Sequence, residues 1–257
     1  MIEKGTVAAA WGPQSPVQVT VALDGLDDIV TDLESPAFLV VENVNGDGGF
    51  VKAVSRVFGV TRITTALEYG WLEIVHGGGD TTFAVCLKQA ERFRVDPRVV
   101  LILDSDRLFQ NHRTANHEKA ERAAKERIRV HVLELREVEN YLPNRLLACL
   151  RRGTEFNKRL GALKTLTFEQ RGYYDMKHGF QRTRAAGSAS SKVVAPECTA
   201  LYNGLPVATT QVLDIGFGEQ VLINCLDHAG SLQPQDFDKI GVTEELRRLL
   251  TLIESVI

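Results

Sequence analysis

Three short apolar runs constrain the fold of this chain more than any other feature of its sequence. They span residues 37–41 (AFLVV), 71–75 (WLEIV) and 99–103 (VVLIL). Each run has the length of a β-strand, and the first and third are nearly all apolar, which is typical of strands covered on both faces. A fourth run, residues 128–135 (IRVHVLEL), alternates more and suits an outer strand.

Helical patterns separate these runs. Residues 48–58 and 80–93 carry apolar side chains at helical spacing, and residues 115–127 read as an exposed helix rich in Ala, Glu, Lys and Arg. Alternation of strands and helices favours a parallel sheet with right-handed crossovers. The sequence therefore predicts an α/β, Rossmann-like fold whose parallel four-stranded sheet is flanked by helices.

The pattern changes after Tyr141. Helical spacing dominates, most clearly over residues 242–256 with their Leu/Ile face, and residues 183–192 (TRAAGSASSK) read as a basic loop. We therefore expect three regions: an N-terminal segment (1–36), an α/β domain (37–145) and a mainly helical C-terminal region (146–257).

Composition limits the classes of function. The formal net charge of −3 gives no global basic footprint, so nucleic-acid binding would have to use a local patch. The four cysteines are far apart and suggest neither a zinc site nor a disulfide framework. The first residues lack the pattern of a signal peptide, and no apolar run approaches the roughly 18 residues that span a bilayer. We expect a cytoplasmic protein without membrane association.

Acidic residues follow two of the predicted strands. Glu42 ends the first strand (VVEN), and Asp104 and Asp106 follow the third (LILDSDR). The carboxyl ends of parallel strands line the crevice where α/β proteins bind ligands, and neighbouring strands lie about 5 Å apart. Three clustered acids do not all stay ionised without a cation. This pattern predicts a Mg²⁺ or Mn²⁺ site, with a plain acidic turn as the alternative for the D-x-D motif.

Two further motifs lie near the same edge of the predicted sheet. In HGGGD, Gly78 and Gly79 would let backbone amides approach a phosphate at a helix N-terminus, although a tight turn capped by Asp80 is the favoured explanation of this motif. In LELREVENYLP, Glu139 is a candidate metal ligand or supporting acid, or an exposed charge in a first helical turn.

The order of four motifs along the chain resembles the Toprim domain, in the branch found in OLD-type nucleases and related phage-defence effectors. These motifs are VVEN, HGGGD, LILDSDR and LELREVENYLP. The resemblance covers residues 37–145. It implies that Glu42 is the first-strand Glu of the family, that Asp104 and Asp106 are its D-x-D pair, and that Glu139 is the Glu of its last segment.

The chain departs from the family pattern after the first strand. Asn43 stands where the family usually has Gly, and Gly46 stands where a second acid commonly lies. Asp47, one place later, is the candidate for that second metal position.

Basic residues supply candidate phosphate contacts. The segment YYDMKHGF also resembles one found downstream in such effectors, so Lys177 or His178 is a candidate to reach the scissile phosphate. Arg107 in the D-x-D motif, and Arg182 and Arg184 in the basic loop, are further candidates.

The resemblance implies a metal-dependent nuclease that hydrolyses phosphodiester bonds of DNA or RNA, tRNA included, as an effector of anti-phage defence. Mg²⁺ or Mn²⁺ held by Glu42, Asp104 and Asp106 would activate water, and Glu42 could instead act as the general base. OLD-type proteins often fuse this domain to an ATPase. The sequence has no G-x-x-x-x-G-K-[ST] loop, so we expect a separate ATPase partner, and a homodimer is also compatible.

Three alternatives stay open. A nucleotide-sugar transferase also uses a D-x-D after an apolar strand, but it would not call for Glu42 on a neighbouring strand. A haloacid-dehalogenase-type phosphatase starts with strand-D-x-D near its chain start, whereas here the motif is in mid-chain. A Toprim-like binding subunit without catalysis would fit Asn43 and the displaced Asp47.

Overall fold

The computed structural model describes residues 25–150, 152–180 and 196–257, together with the backbone of two short strands near the N-terminus. These strands, β1 (Thr6–Ala8) and β2 (Gln18–Thr20), pair antiparallel. Arg182 and Arg184, and with them the predicted basic loop, lie outside the described residues.

The centre of the fold is a parallel sheet of four strands in the order β4-β3-β5-β6. The prediction of such a sheet, with the fourth strand at an edge, is confirmed. Two strands have the predicted bounds, the second begins one residue later, and the fourth is shorter. The strands are β3 (Ala37–Val41), β4 (Leu72–His76), β5 (Val99–Leu103) and β6 (Arg129–Val132).

Helices cover both faces of the sheet. The three predicted inter-strand helices are present, and α3 is an additional one that the sequence did not indicate. The helices before and between the strands are α1 (Leu26–Glu34), α2 (Gly49–Val57), α3 (Thr61–Glu68), α4 (Thr82–Ala90) and α5 (Ala115–Lys125). None of the helices in the described part of the chain is long and apolar enough to cross a bilayer.

The C-terminal region is helical, as predicted. Its helices are α6 (Asn144–Cys149), α7 (Gly153–Leu163), α8 (Phe168–Gly172), α9 (Pro196–Leu201), α10 (Val207–Val212), α11 (Val221–Leu226), α12 (Pro234–Asp238) and α13 (Thr243–Glu254).

Each face of the sheet has its own hydrophobic core. Phe38 and Val40 of β3 pack with α4 and α5 on one face. Leu39 and Val41 point to the other face, where α2, α3 and the C-terminal helices form a single cluster. Successive side chains of a strand point to opposite faces of the sheet, so β3 contributes to both cores. The second core contains side chains from both sides of position 145, such as Leu39 and Leu249.

A buried carboxylate on α13 fixes the segment that follows β6. Glu245 Oε1 accepts a hydrogen bond from the backbone N–H of Glu134 (2.7 Å), and Glu245 Oε2 accepts one from the hydroxyl of Tyr141 (2.6 Å). The Tyr141 hydroxyl oxygen accepts in turn from the N–H of Leu135 (3.0 Å). The C-terminal helix thus holds both ends of the segment 134–141, which carries two acids of the site.

Replacing Glu245 by Ala should lower the free energy of unfolding by about 3 kcal/mol, because the Tyr141 hydroxyl and the Glu134 N–H lose their buried acceptor. The matched control is Glu244→Ala, since Glu244 is exposed in the same helical turn and should cost less than about 1 kcal/mol. Urea denaturation of both variants measures the difference. Equal losses would show that the Glu245 contacts do not hold the segment.

Candidate functional site

The site is built at the carboxyl ends of β3, β5 and the segment after β6. The register pairs Val40 of β3 with Leu101 of β5, and Leu103 of β5 with Val132 of β6. The loops that follow these strands therefore leave the sheet side by side. They carry Glu42 and Asp47, then Asp104 and Asp106, then Glu137 and Glu139.

A wide turn after β3 brings Asp47 back to the strand end. Residues Val44–Gly48 form a π-helical turn, in which the carbonyl oxygen of Asn43 accepts from the N–H groups of both Asp47 (2.9 Å) and Gly48 (3.2 Å). The Asp47 carboxylate closes the turn by accepting from the N–H of Asn43 (2.9 Å). Burial raises the pKa of Asp47 to about 6, with a further contribution from Glu42 and opposition from the Asn43 amide and Lys177.

Asn43 and Gly46, two positions at which the sequence differs from the pattern it resembles, both have structural roles in this turn. The Asn43 side-chain oxygen accepts from the N–H groups of Asn45 (2.9 Å) and Gly46 (3.1 Å), so Asn43 organises the turn. A Cβ on Gly46 would come within 3.1 Å of Leu222, so position 46 lies against the core. A π-turn has one residue more than an α-helical turn, and here it places the Asp47 carboxylate against the N–H of Asn43, next to the end of β3.

Asp104 is partly buried at the end of β5. Its Oδ1 accepts a hydrogen bond from the N–H of Val138 (3.2 Å), at the start of the 3₁₀ turn Val138–Tyr141. Burial raises the pKa of Asp104 well above its ordinary value, and the nearby carboxylates of Asp47, Glu139 and Glu137 raise it further, against the attraction of Lys177.

Glu137 and Glu139 lie two residues apart after β6, and both are buried. Glu137 Oε1 accepts from the N–H of Met176 (3.0 Å). The pKa of Glu139 is raised to about 7, mainly by burial and then by the charge of Glu137, while Lys177 opposes the shift. Sequence reasoning proposed Glu139 but missed Glu137, whose only signal was its spacing from Glu139 in REVEN.

The Lys177 ammonium lies between these two carboxylates. Its Nζ is 3.2 Å from Glu137 Oε2 and 3.3 Å from Glu139 Oε1, and the side chain is 23% exposed. Burial acts to lower the pKa of Lys177, but Glu137, Glu139 and Asp104 together raise it above its ordinary value. We call Asp47, Asp104, Glu137, Glu139 and Lys177 the carboxylate–lysine cluster.

The two acids of the D-x-D motif have different partners. Asp106 is exposed, has a positive φ of 54°, and accepts a hydrogen bond from the Asn116 side chain (2.8 Å) on α5. Arg107, predicted to contact phosphate, lies 3.0 Å from His117 through its Nη2. The structure thus brings Asp104 to the cluster and turns the Asp106 and Arg107 side chains to α5.

Glu42 and the glycine loop lie side by side at the carboxyl ends of β3 and β4. Glu42 is exposed, and its Oε1 is 3.8 Å from the position that a Cβ on Gly79 would take. Gly78 and Gly79 have φ values of 70° and 59°, a region that favours glycine. The N–H of Gly78 points to the carbonyl oxygen of Glu42 at 3.4 Å, so this amide contacts the protein's own backbone.

His178, the other candidate for phosphate contact, is held by acids. Its Nδ1 is 3.2 Å from Asp175 Oδ1 and its Nε2 is 2.6 Å from Glu219 Oε1. The imidazole therefore bridges the 173–180 segment to the loop after α10.

The donor chemistry of the cluster fits a hard divalent cation, because carboxylate oxygens are the ligands that Mg²⁺ prefers. Its arrangement does not yet form a coordination shell: among the described residues, no three His, Cys, Asp or Glu side chains are grouped so as to hold one metal ion. The Lys177 ammonium takes the place between Glu137 and Glu139 that a shared cation would need.

No family model matches the chain, and comparisons with curated proteins and with solved structures found no match.

The raised pKa of Glu139 predicts a pH dependence of stability. Between its ordinary value of 4.5 and about 7, the folded protein binds this proton more tightly than the unfolded chain, so stability falls as pH rises through this window. Glu139→Gln removes the titration. Relative to wild type in EDTA, the variant should gain on the order of 1–3 kcal/mol between about pH 5 and about pH 8.

Urea denaturation at both pH values measures this gain. Glu126→Gln is the matched control, since Glu126 is exposed at the end of α5, and it should shift stability equally at both pH values. A Glu139→Gln variant that behaves like this control would contradict the assignment of a high pKa to Glu139.

Proposed function

We propose that this chain is a metal-dependent nuclease of the Toprim type, which hydrolyses phosphodiester bonds of DNA or RNA. The observation that carries the proposal is the convergence of Asp47, Asp104 and Glu139 after three neighbouring strands, where each has a raised pKa. Buried, mutually repelling carboxylates in a crevice at strand ends are typical of functional sites, and a divalent cation relieves their repulsion.

The order of the acids along the sheet supports the Toprim type. An acid follows β3, a D-x-D follows β5, and Glu-Asn-Tyr follows β6, as the resemblance implies. The π-turn supports it further, because the extra residue of this turn offsets the one-residue displacement of Asp47.

The residues of the site have separable roles in this proposal. Asp104, Asp47 and Glu139, with Glu42 at the crevice mouth, would hold Mg²⁺ or Mn²⁺. The metal would supply an activated water and charge stabilisation. Lys177 presents an ammonium to the phosphate. Asp106 lies in the same loop as Asp104, and its carboxylate would reach the metal only if its hydrogen bond with Asn116 were broken.

A binding subunit without catalysis is the second candidate, and one observation favours it. The Lys177 ammonium already offsets part of the carboxylate charge, so the cluster has a cation of its own. A transferase or phosphatase is less well supported, because neither reading requires acids after β3 and β6. We retain an anti-phage role and a separate ATPase partner as parts of the nuclease proposal.

Asp104→Asn should reduce cleavage by more than about 100-fold, because even outer partners of a metal site cost about 10- to 100-fold when replaced. Supercoiled plasmid, single-stranded DNA and total tRNA, each with Mg²⁺ or Mn²⁺, are the substrates. Asp96→Asn is the matched control, since Asp96 is exposed and precedes the opposite end of the same strand; it should retain wild-type activity.

Cleavage that survives Asp104→Asn would place the active site elsewhere. If the wild type cuts none of the substrates, Mn²⁺ titration separates the two candidates: a nuclease awaiting its partner binds Mn²⁺, whereas the binding subunit does not.

A further inference from the structure

Backbone hydrogen bonds fix the position of Lys177 next to the carboxylates of the cluster. The N–H of Gly218 donates to the carbonyl oxygen of Lys177 (3.0 Å), and the N–H of Phe217 donates to that of Met176 (2.7 Å). A Cβ on Gly216 would lie 2.4 Å from the Lys177 carbonyl group, so only glycine allows this approach. The fold therefore fixes the start of the Lys177 side chain, while its four-carbon stem keeps rotational freedom.

The segment that carries the two glutamates is anchored by other contacts. Glu137 accepts from the N–H of Met176 through Oε1, which leaves Oε2 to Lys177. Glu139 lies in a 3₁₀ turn whose Tyr141 is bonded to Glu245. Because Glu137 and the turn that carries Glu139 are held, whereas the ammonium ends a four-carbon stem, we take Lys177 as the side chain that a competing ion would displace.

We propose that Lys177 is an exchangeable internal cation, whose ammonium competes with a divalent metal ion for Glu137 and Glu139. The inference rests on the proposed metal site. It adds Glu137 to the carboxylates that would hold the ion, and it says what controls the entry of the ion. A divalent ion enters by displacing the ammonium towards solvent, where a phosphate of the nucleic acid attracts it. Metal and phosphate thus favour each other's binding, because each stabilises the displaced position of Lys177.

The competition follows from charge and geometry. An ammonium 3.2 Å and 3.3 Å from the two carboxylates leaves no room for a second cation on the same oxygens. Two cations held at that spacing would also repel each other in a partly buried site. Removing the ammonium should therefore strengthen metal binding, whereas removing an ordinary supporting residue would weaken it.

Calorimetric titration of the full chain with Mn²⁺ tests the proposal. Lys177→Met, which keeps the stem and removes the charge, should bind Mn²⁺ about tenfold more tightly than wild type, within the usual range for coupled sites. Lys177→Arg keeps a cation and should bind no more tightly than wild type. Lys158→Met is the control, since Lys158 is exposed and forms its ion pair with Glu155 on α7 rather than with the cluster.

Thermal melting of the same proteins gives a second readout. In EDTA, Lys177→Met should melt below wild type because its carboxylates repel, and Mn²⁺ should raise its melting temperature more than that of wild type. If Lys177→Met does not fold, Lys177→Gln, whose neutral amide can still donate to a carboxylate, replaces it in both experiments.

The outcomes separate this inference from the proposed function. If wild type and neutral variants all fail to bind Mn²⁺, the metal site itself is wrong. If wild type binds Mn²⁺ and the neutral variants bind equally or more weakly, the metal site stands, and Lys177 is a structural partner of the two glutamates rather than a competitor.

Discussion

The crowding of carboxylates around one ammonium is the constraint on which the rest of this site depends. Asp47, Asp104, Glu137 and Glu139 are brought together by three loops, and burial makes their charged forms costly. Lys177 relieves part of this repulsion by contact with the two glutamates. The predicted pH dependence, the proposed metal chemistry and the proposed exchange all follow from this repulsion among buried carboxylates and from its partial relief by Lys177.

The C-terminal helices are part of the site's construction rather than an appendage. Lys177 comes from the segment after α8, the loop of Gly216 and Gly218 holds its backbone, and Glu245 of α13 anchors the acidic segment after β6. These contacts join residues that are far apart in sequence. The C-terminal helices also share one hydrophobic core with the sheet. The carboxylates therefore keep their positions although they repel one another.

Strand-end patterns predicted some of the acids that the structure brings close together and missed one of them. Asp104 and Glu139 were found from sequence because each follows a recognisable strand. Asp47 was predicted one place later than the pattern expects, and the π-turn that brings it back to the end of β3 depends on the backbone hydrogen bonds of Asn43. Glu137 was missed, and Asp106 was expected beside Asp104 although a positive φ and Asn116 turn it away. An i, i+2 spacing gives a shared direction only in an extended strand, and the strand ends at Leu103.

The sequence by itself determined the α/β class, the four-stranded parallel sheet and the edge where acids would meet. It could do so because apolar runs and helical spacing are local signals whose period is set by backbone geometry. Only the tertiary structure decided which acids converge and that Lys177 lies between two of them. Those facts depend on long-range packing, on a turn wider by one residue and on close backbone approach at Gly216, and no local pattern encodes them.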